Sequence, residues 1–244
     1  MDFELMAETL PKLLAGVPVT LTLVVSSLLL GFLFAVILAQ MRLSRNLLLS
    51  NLAYAYVYVF RSTPLLVQIF LIYYGSGQFR EPLESVGLWY FLREPYFCAV
   101  LALTMNTAAY TAEIIRGGIL SVPWGQLEAG RAIGMSGATL FRRIVFPVAV
   151  RQALPAYGNE IILMVKSTSL ASTITLLEVT GIAKKIIAET FQPMEVFIIA
   201  GAIYLTINFI VTRGVQWLEV KLSPQLFRDR SAASKTKAEQ VLAH

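Results

Sequence analysis

Residues 13–41 read LLAGVPVTLTLVVSSLLLGFLFAVILAQM, a run of 29 residues that contains no charged side chain. A helix that crosses a membrane needs about 20 predominantly apolar residues. The run is too long for the apolar region of a signal peptide, and the charged residues before it are mostly acidic, whereas a signal peptide begins with positive charge. We therefore predict a first membrane span over residues 17–40.

The composition of the whole chain also indicates a lipid environment. Of 244 residues, 57% are hydrophobic and 14% are charged, against about 25% charged residues in an ordinary soluble domain. This composition excludes a disordered chain, a fibrous repeat and most soluble enzymes. A single cysteine, Cys98, excludes an internal disulfide and a cysteine-based metal site, and a single histidine, His244, argues against a histidine-based site. The net charge of +5 is dispersed between apolar runs, which argues against nucleic-acid binding.

Four more apolar segments follow, and with the first they predict an all-α integral membrane protein with five spans. Their approximate limits are 52–74, 96–116, 155–173 and 196–212. The second and fourth carry isolated charges, which are costly in lipid unless they face a cavity or a partner. In the second, Arg61 and Gln68 lie two helical turns apart and are expected on one face, with a kink at Pro64. We assign residues 1–228 to the membrane domain and 229–244 to a C-terminal tail.

The distribution of basic residues predicts the orientation of these spans. The loops after the first and third spans and the tail after the fifth carry 13 Lys and Arg residues, whereas the other side carries five. Cytoplasmic loops are enriched in Lys and Arg. With the acids included, and with Glu178 counted as an outer acid, the inner side carries +9 and the outer side −4. The N-terminus is expected outside and the tail in the cytoplasm, with a short helix over 178–195 on the outer surface.

The segment 117–154, between the third and fourth spans, is too polar to cross a membrane and too apolar to be a linker. A helix is expected to start at Ser121–Trp124, because proline favours the first helical turn. Gly134 and Gly137 predict a tight turn at its end, followed by a second amphipathic stretch. This helix–turn–helix, with few large exposed side chains at its tip, would suit docking into a groove of a partner. Before it, Glu113 and Arg116 are expected to form a surface ion pair.

Within this segment the string Glu128-Ala129-Gly130, three residues, Gly134, nine residues, Ile144, one residue, Phe146-Pro147 resembles the EAA loop of ATP-binding-cassette (ABC) importer permeases. The chain has Gly130 and Phe146 where the family pattern has Ala and Leu, and the glycine is expected to loosen the helix by up to about 1 kcal/mol. The resemblance implies the type I importer permease fold. It also implies that a partner ATPase contacts the loop through Glu128, Ala129, Gly130, Gly134, Ile144 and Pro147.

Four further segments resemble the permeases of polar amino acids, and most closely the M-type subunits of histidine, arginine, octopine and nopaline importers. They are 61–68, 106–113, 154–160 and 166–171. The resemblance implies a bacterial inner-membrane protein that pairs with a homologous permease subunit, a heterodimer being favoured over a homodimer. It implies two cytoplasmic ATPase subunits and a periplasmic binding protein as further partners. The chain has no G-x-x-x-x-G-K-[ST] phosphate loop, so ATP and Mg²⁺ are expected on the ATPase and no cofactor is expected here.

Glu160 is the main candidate for a substrate-binding residue. A carboxylate in a membrane span is costly unless it faces a cavity or a partner, and here it would meet the cationic group of an amino acid or opine. Asn159 would help to orient the ligand, and Tyr157 and Met164 share the helix face of Glu160. Alternatively, Glu160 forms a structural ion pair with Lys166 or Arg61.

Thr63 and Gln68 are the second pair of candidates, because a kink at Pro64 frees backbone carbonyls that can line a cavity. They would contact the α-amino and α-carboxylate groups of the substrate, or they form hydrogen bonds between helices. Two alternatives concern the whole protein. One is a scaffold half whose partner holds the substrate, and the other is a permease for a neutral or acidic polar amino acid. A membrane-embedded enzyme is disfavoured, since the spans lack histidine and a suitable pair of acids.

Overall fold

The computed structural model describes residues 2–222, which are helical and contain no strand. The first part of the chain forms α1 (Phe3–Leu14), α2 (Val17–Arg42), α3 (Leu47–Ser62), α4 (Leu65–Gln78), α5 (Arg80–Ser85), α6 (Trp89–Leu92) and α7 (Pro95–Leu120). The second part forms α8 (Trp124–Ala132), α9 (Gly137–Leu140), a π-helical turn (Phe141–Val145), α10 (Phe146–Ser167), a 3₁₀ helix (Thr168–Ile174), α11 (Val179–Thr190) and α12 (Pro193–Leu222). The tail predicted over 229–244 lies outside the described residues.

Three segments are long and apolar enough to cross a membrane as single stretches of helix: Phe3–Arg42, Pro95–Leu120 and Pro193–Leu222. Two bent pairs also qualify when each pair is counted as one span. They are α3 with α4, bent by 102°, and Gly137–Ile174 with α11, bent by 47°. The described helices thus allow three to five spans, and the first, third and fifth predicted spans lie within these three segments.

The second predicted span is two helices, so the expectation of one kinked helix is wrong. Thr63 is extended, with φ −110° and ψ 144°, and Pro64 precedes the first residue of α4. Proline has no N–H to donate and disfavours helical geometry at the residue before it. Because the chain turns by 102° here, Arg61 and Gln68 do not share a helix face, contrary to the prediction.

The fourth predicted span begins earlier than expected. Helix α10 starts at Phe146, not near Pro155, and Pro155 lies inside the helix. Helix α8 starts at Trp124 as predicted, and Gly134 ends that segment with φ +78°. Gly137, however, starts α9 instead of belonging to the turn.

Helix α7 is the centre of the bundle, and α2, α3, α4 and α10 all pack on it. Its contact with α2 is close because both helices present small residues there. A Cβ atom placed on Gly31 would lie 2.3 Å from Cγ2 of Thr107 and 3.3 Å from the carbonyl oxygen of Thr104. Small residues of this kind allow helix backbones to approach closely in a membrane.

Gly31→Ala is therefore expected to destabilise the bundle by about 1–3 kcal/mol, the usual cost of overpacking. Gly201→Ala on α12 is the matched control, because a Cβ atom there meets no atom within 4 Å. Thermal melting of the detergent-solubilised protein measures both. Equal melting temperatures for the two variants would contradict the close contact of α2 with α7.

Candidate functional site

Glu160 lies in α10 and faces α7. It is 7% exposed, and the Thr107 hydroxyl donates a hydrogen bond of 2.8 Å to its Oε1. Thr107 is its only hydrogen-bond partner within residues 2–222, and no ion pair there involves Glu160. A buried carboxylate whose only hydrogen-bond donor in the described chain is a neutral hydroxyl is costly in an apolar environment.

The neighbours of Glu160 on α10 divide between two sides. Met164 is buried in the core with Leu23 and Ile69, and Tyr157 is half-buried, with its ring edge-to-face against Phe32 at 5.8 Å between centroids. Asn159 is exposed, because consecutive residues of a helix point about 100° apart. The structure thus brings Tyr157 and Met164 to the inner side with Glu160 and places Asn159 on the outer side.

Neither basic residue considered as a structural partner pairs with Glu160. Lys166 is exposed and takes part in no ion pair of the described chain. Arg61, also exposed, places its guanidinium carbon 5.1 Å from the centroid of the Tyr110 ring. Glu160 therefore has no direct ion pair with either residue, although the charge of Arg61 is close enough to act favourably on its carboxylate.

Gln68 spans the break between α3 and α4. Its Nε2 donates to the carbonyl oxygens of Phe60 (2.9 Å) and Thr63 (3.1 Å) and to Oγ1 of Thr63 (2.8 Å). Its Oε1 accepts a bond of 2.9 Å from Nδ2 of Asn106 on α7. The amide thus satisfies carbonyls that the break sets free, which favours a structural role for Gln68, whereas Thr63 remains exposed.

Helix α7 joins these groups, which the sequence alone did not reveal. Asn106 bonds Gln68, Thr107 bonds Glu160, and Tyr110 lies beneath Arg61. The three are spaced by one and three residues, so they occupy neighbouring positions on one side of the helix. Their polar side chains within an apolar run are the signal that could have identified α7 as the organising helix.

The predicted coupling residues lie on and beside α8. Glu128 and Ala129 are exposed, and Nε1 of Trp124 donates to Oε1 of Glu128 at 2.8 Å. Gly130 is buried: a Cβ atom there would lie 2.4 Å from Cδ1 of Leu140 and 3.0 Å from that of Ile144. Glycine at this position thus lets two flexible side chains pack against α8. The sequence predicted only a loosened helix here and not this packing contact.

The turn after α8 is closed by backbone bonds, from the Gly134 N–H to the Arg131 carbonyl (3.0 Å) and from the Met135 N–H to the Gly130 carbonyl (3.1 Å). This pairing, with glycine in the left-handed region, ends many helices. Pro147 occupies the first turn of α10.

The exposed surface of α8 is more apolar than predicted. Trp124 is 64% exposed and Ile133, directly after the helix, is 74% exposed. The expectation of few large exposed side chains at this tip is therefore wrong. Single exposed apolar side chains are common on protein surfaces, so Trp124 and Ile133 enlarge the apolar part of this segment without defining a contact by themselves.

The predicted ion pair of Glu113 and Arg116 is confirmed, but it is half-buried and has a third member. Glu113 accepts from Arg116 at 2.8 Å and from Arg42 at 3.1 Å, and its side chain is 16% exposed. The ion pairs connect the end of α2 to α7 close to the start of the α8 segment.

Glu178 is the buried acid that the sequence analysis missed. The count of charges along the sequence included Glu178 among the outer acids, whereas its side chain is fully buried in the structure. Its Oε1 accepts from the Gly181 N–H at 2.8 Å and its Oε2 from the Tyr204 hydroxyl at 2.5 Å, so it caps α11 and binds that helix to α12. An acid three residues before Gly181 at the start of a helix is a capping signal. The helix predicted over 178–195 is confirmed as α11, from Val179 to Thr190.

The comparisons with known proteins identify the class of protein to which this fold belongs. The chain belongs to the family of binding-protein-dependent transport system inner membrane components, whose sequence pattern matches residues 9–224. It is therefore an inner membrane component of an ABC transporter.

Two relatives and one solved structure narrow the class further. The chain is 63% identical to the nopaline transport system permease protein NocM of Agrobacterium fabrum over 99% of this chain and 100% of that protein. It is 43% identical to the arginine ABC transporter permease protein ArtM of Escherichia coli K12, over 88% of this chain and 96% of that protein. A crystal structure of an amino acid ABC transporter with histidines aligns with a TM-score of 0.80 at 34% identity, over 91% of this chain and 99% of that one.

This chain is thus the permease subunit of an ABC importer, the membrane component that works with separate ATPase and binding-protein components.

Proposed function

We propose that the importer takes up cationic amino acids or opines and that this chain binds the cationic group of the substrate at Glu160. The observation that carries the proposal is the burial of this carboxylate with one neutral hydrogen-bond donor and no ion pair in the described chain. The substrates in the names of its relatives, nopaline and arginine, support the proposal. Tyr157, Met164, Asn159 and Thr63 are proposed as further members of the site, and Gln68 would join it only after its hydrogen bonds within the chain rearrange.

Competition for uptake tests the substrate class. Cells that carry the complete transporter are expected to take up labelled arginine, and unlabelled nopaline, lysine or protonated histidine should compete, because each of them carries a cationic nitrogen group in its side chain. Glutamate is the control, since its side chain is an anion that a buried carboxylate would repel. Competition by glutamate as strong as that by lysine would favour a permease for acidic or neutral amino acids.

We infer that α8 and the residues around it transmit the ATPase cycle to the membrane helices. Glu128, Ala129, Gly130, Gly134, Ile144 and Pro147 form or support this surface, and exposed Trp124 and Ile133 enlarge it. Two ATPase subunits, which would hold ATP and Mg²⁺, would dock here. Closure of the ATPase pair would move α8, and the Glu113 ion pairs lie where this movement could reach α2 and α7.

The remaining parts of the proposal concern assembly and topology. A homologous permease subunit would complete the pathway, as a heterodimer, and a periplasmic binding protein would deliver the substrate. Each bent helix pair would count as one span, which gives five spans with the N-terminus in the periplasm and the C-terminus in the cytoplasm.

This orientation predicts that a reporter that works only in the periplasm is active when it is fused to the N-terminus. A reporter that works only in the cytoplasm is expected to be active when it is fused to the C-terminus. The reason is the excess of basic residues in the segments assigned to the cytoplasm. Alkaline phosphatase and green fluorescent protein fusions measure the two sides. Both ends on the same side would rule out an odd number of spans.

One observation favours a scaffold half as the second candidate. The Gln68 amide is engaged by partners within this chain, so it is not available to a substrate without rearrangement. In a scaffold half, changes at Glu160 would affect stability but not the apparent affinity for substrate, which separates the two proposals.

A further inference from the structure

A groove of about 600 Å³ lies between α2, α7 and the start of α10, away from Glu160 itself. It follows α2 from Phe32 to Leu43, which at 1.5 Å per residue is a length of roughly 16 Å. Only Gln40 and Tyr157 among the side chains that line it carry polar atoms. The groove is therefore apolar, and it runs from the middle of the bundle to one end of it.

The dimensions of the groove limit what can occupy it. Its volume over that length gives a width of roughly 7 Å, which suits a single extended apolar chain better than a whole helix of about 10–12 Å diameter. The tail at 223–244, with six charged residues among 22, is too polar to fill an apolar channel.

The end of the groove at Leu43 and Phe141 is bordered by positive charge. Arg45 follows Leu43 by two positions and Arg142 follows Phe141 directly, and both are exposed. Neither forms an ion pair within the described range, and the nearby Glu113 is already engaged by two other arginines. This end thus offers two basic side chains to an anionic group at the membrane surface.

We propose that the groove binds an acyl chain of an anionic phospholipid, with the phosphate of the lipid held by Arg45 and Arg142. The apolar walls match the hydrocarbon, and the two arginines, which are close in sequence to lining residues at the mouth, match the headgroup in charge. Anionic lipids are concentrated in the cytoplasmic leaflet, so the headgroup assignment rests on the proposed orientation. The bound chain would lie against Phe32 and Tyr157, beside the helix that carries Glu160.

Native mass spectrometry of the full transporter complex in mild detergent tests this inference, with phosphatidylglycerol and phosphatidylcholine as probes. Val36→Trp places a large side chain in the groove, and Leu33→Trp is its control, since Leu33 is on the same helix, is 63% exposed and does not line the groove. Arg142→Gln and Arg45→Gln remove the charge at the mouth, and Arg213→Gln, an exposed arginine of α12, is their control.

The wild type is expected to retain phosphatidylglycerol in preference to phosphatidylcholine. Each arginine change at the mouth should weaken retention about fivefold, the ratio that corresponds to about 1 kcal/mol for one arginine near an anionic lipid. Val36→Trp should abolish it, and both controls should retain the lipid as the wild type does.

Three results would overturn the inference: equal retention of both lipids, unchanged retention in Val36→Trp, or a photocrosslinker at position 36 that captures protein instead of lipid. The crosslinker is placed in an otherwise wild-type chain, so the test holds even if Val36→Trp does not fold. Lipid retention is measured without transport, so its failure leaves the proposed substrate site untouched.

Discussion

Uptake of arginine should lose apparent affinity by about thirtyfold or more when Glu160 is replaced by Gln. Glutamine keeps the size of the side chain and still accepts the hydrogen bond from Thr107, but it removes the negative charge. A buried cation left without its counter-charge costs about 2–5 kcal/mol, of which 2 kcal/mol already corresponds to about thirtyfold. The apparent KM for labelled arginine in proteoliposomes measures the effect.

Glu189→Gln is the matched control, because Glu189 is an exposed acid on α11 and its removal should leave the apparent KM unchanged. Recovery of the ATPase subunit with the Glu160→Gln variant shows that the complex still assembles. If Glu160 were purely structural, the variant would melt at a lower temperature while the KM of the assembled complex stayed at the wild-type value. That result would remove Glu160 from the substrate site.

Ile133→Asp should greatly reduce recovery of the ATPase subunit with the permease. Ile133 is 74% exposed and follows α8 directly, beside the exposed face that includes Glu128 and Ala129. A charge placed in an apolar part of the contact leaves the docked state with an unpaired, desolvated carboxylate. A loss of about 2 kcal/mol, the size that defines an interface hot spot, corresponds to a factor of about thirty in affinity.

Val86→Asp is the control for this change, because Val86 is 67% exposed but lies between α5 and α6, far along the chain from α8. Co-purification and basal ATPase activity compare the two variants. A complex of Ile133→Asp that retains the ATPase as well as Val86→Asp does would exclude this end of α8 from the docking surface.

The straight helices were predictable from the sequence because hydropathy reports length and apolarity directly. The helices predicted for the first, third and fifth spans are confirmed. The 102° bend at Thr63 and Pro64 could not be predicted, because hydropathy does not report the direction of a helix axis. A proline permits either a kink in one helix or a break between two. The error mattered, because it placed Arg61 and Gln68 on a common face that does not exist.

The buried acids illustrate a second limit. Glu160 was predicted to be buried because it lies inside an apolar segment. Glu178 was predicted to be exposed to solvent because it lies at the edge of such a segment. Its burial depends on Tyr204, which is 26 residues further along the chain and reaches it through the packing of α12 on α11. Gln68 shows the same dependence, since its partner Asn106 is 38 residues away on α7.

The most direct test of the substrate site is the ATPase activity of the reconstituted complex, scanned over amino acids in the presence of the binding protein. Arginine or a related cationic substrate should stimulate the wild-type complex, and the stimulation should require a much higher substrate concentration in Glu160→Gln. Stimulation by neutral or acidic amino acids alone, or an identical response of the two complexes to arginine, would contradict the role assigned to Glu160.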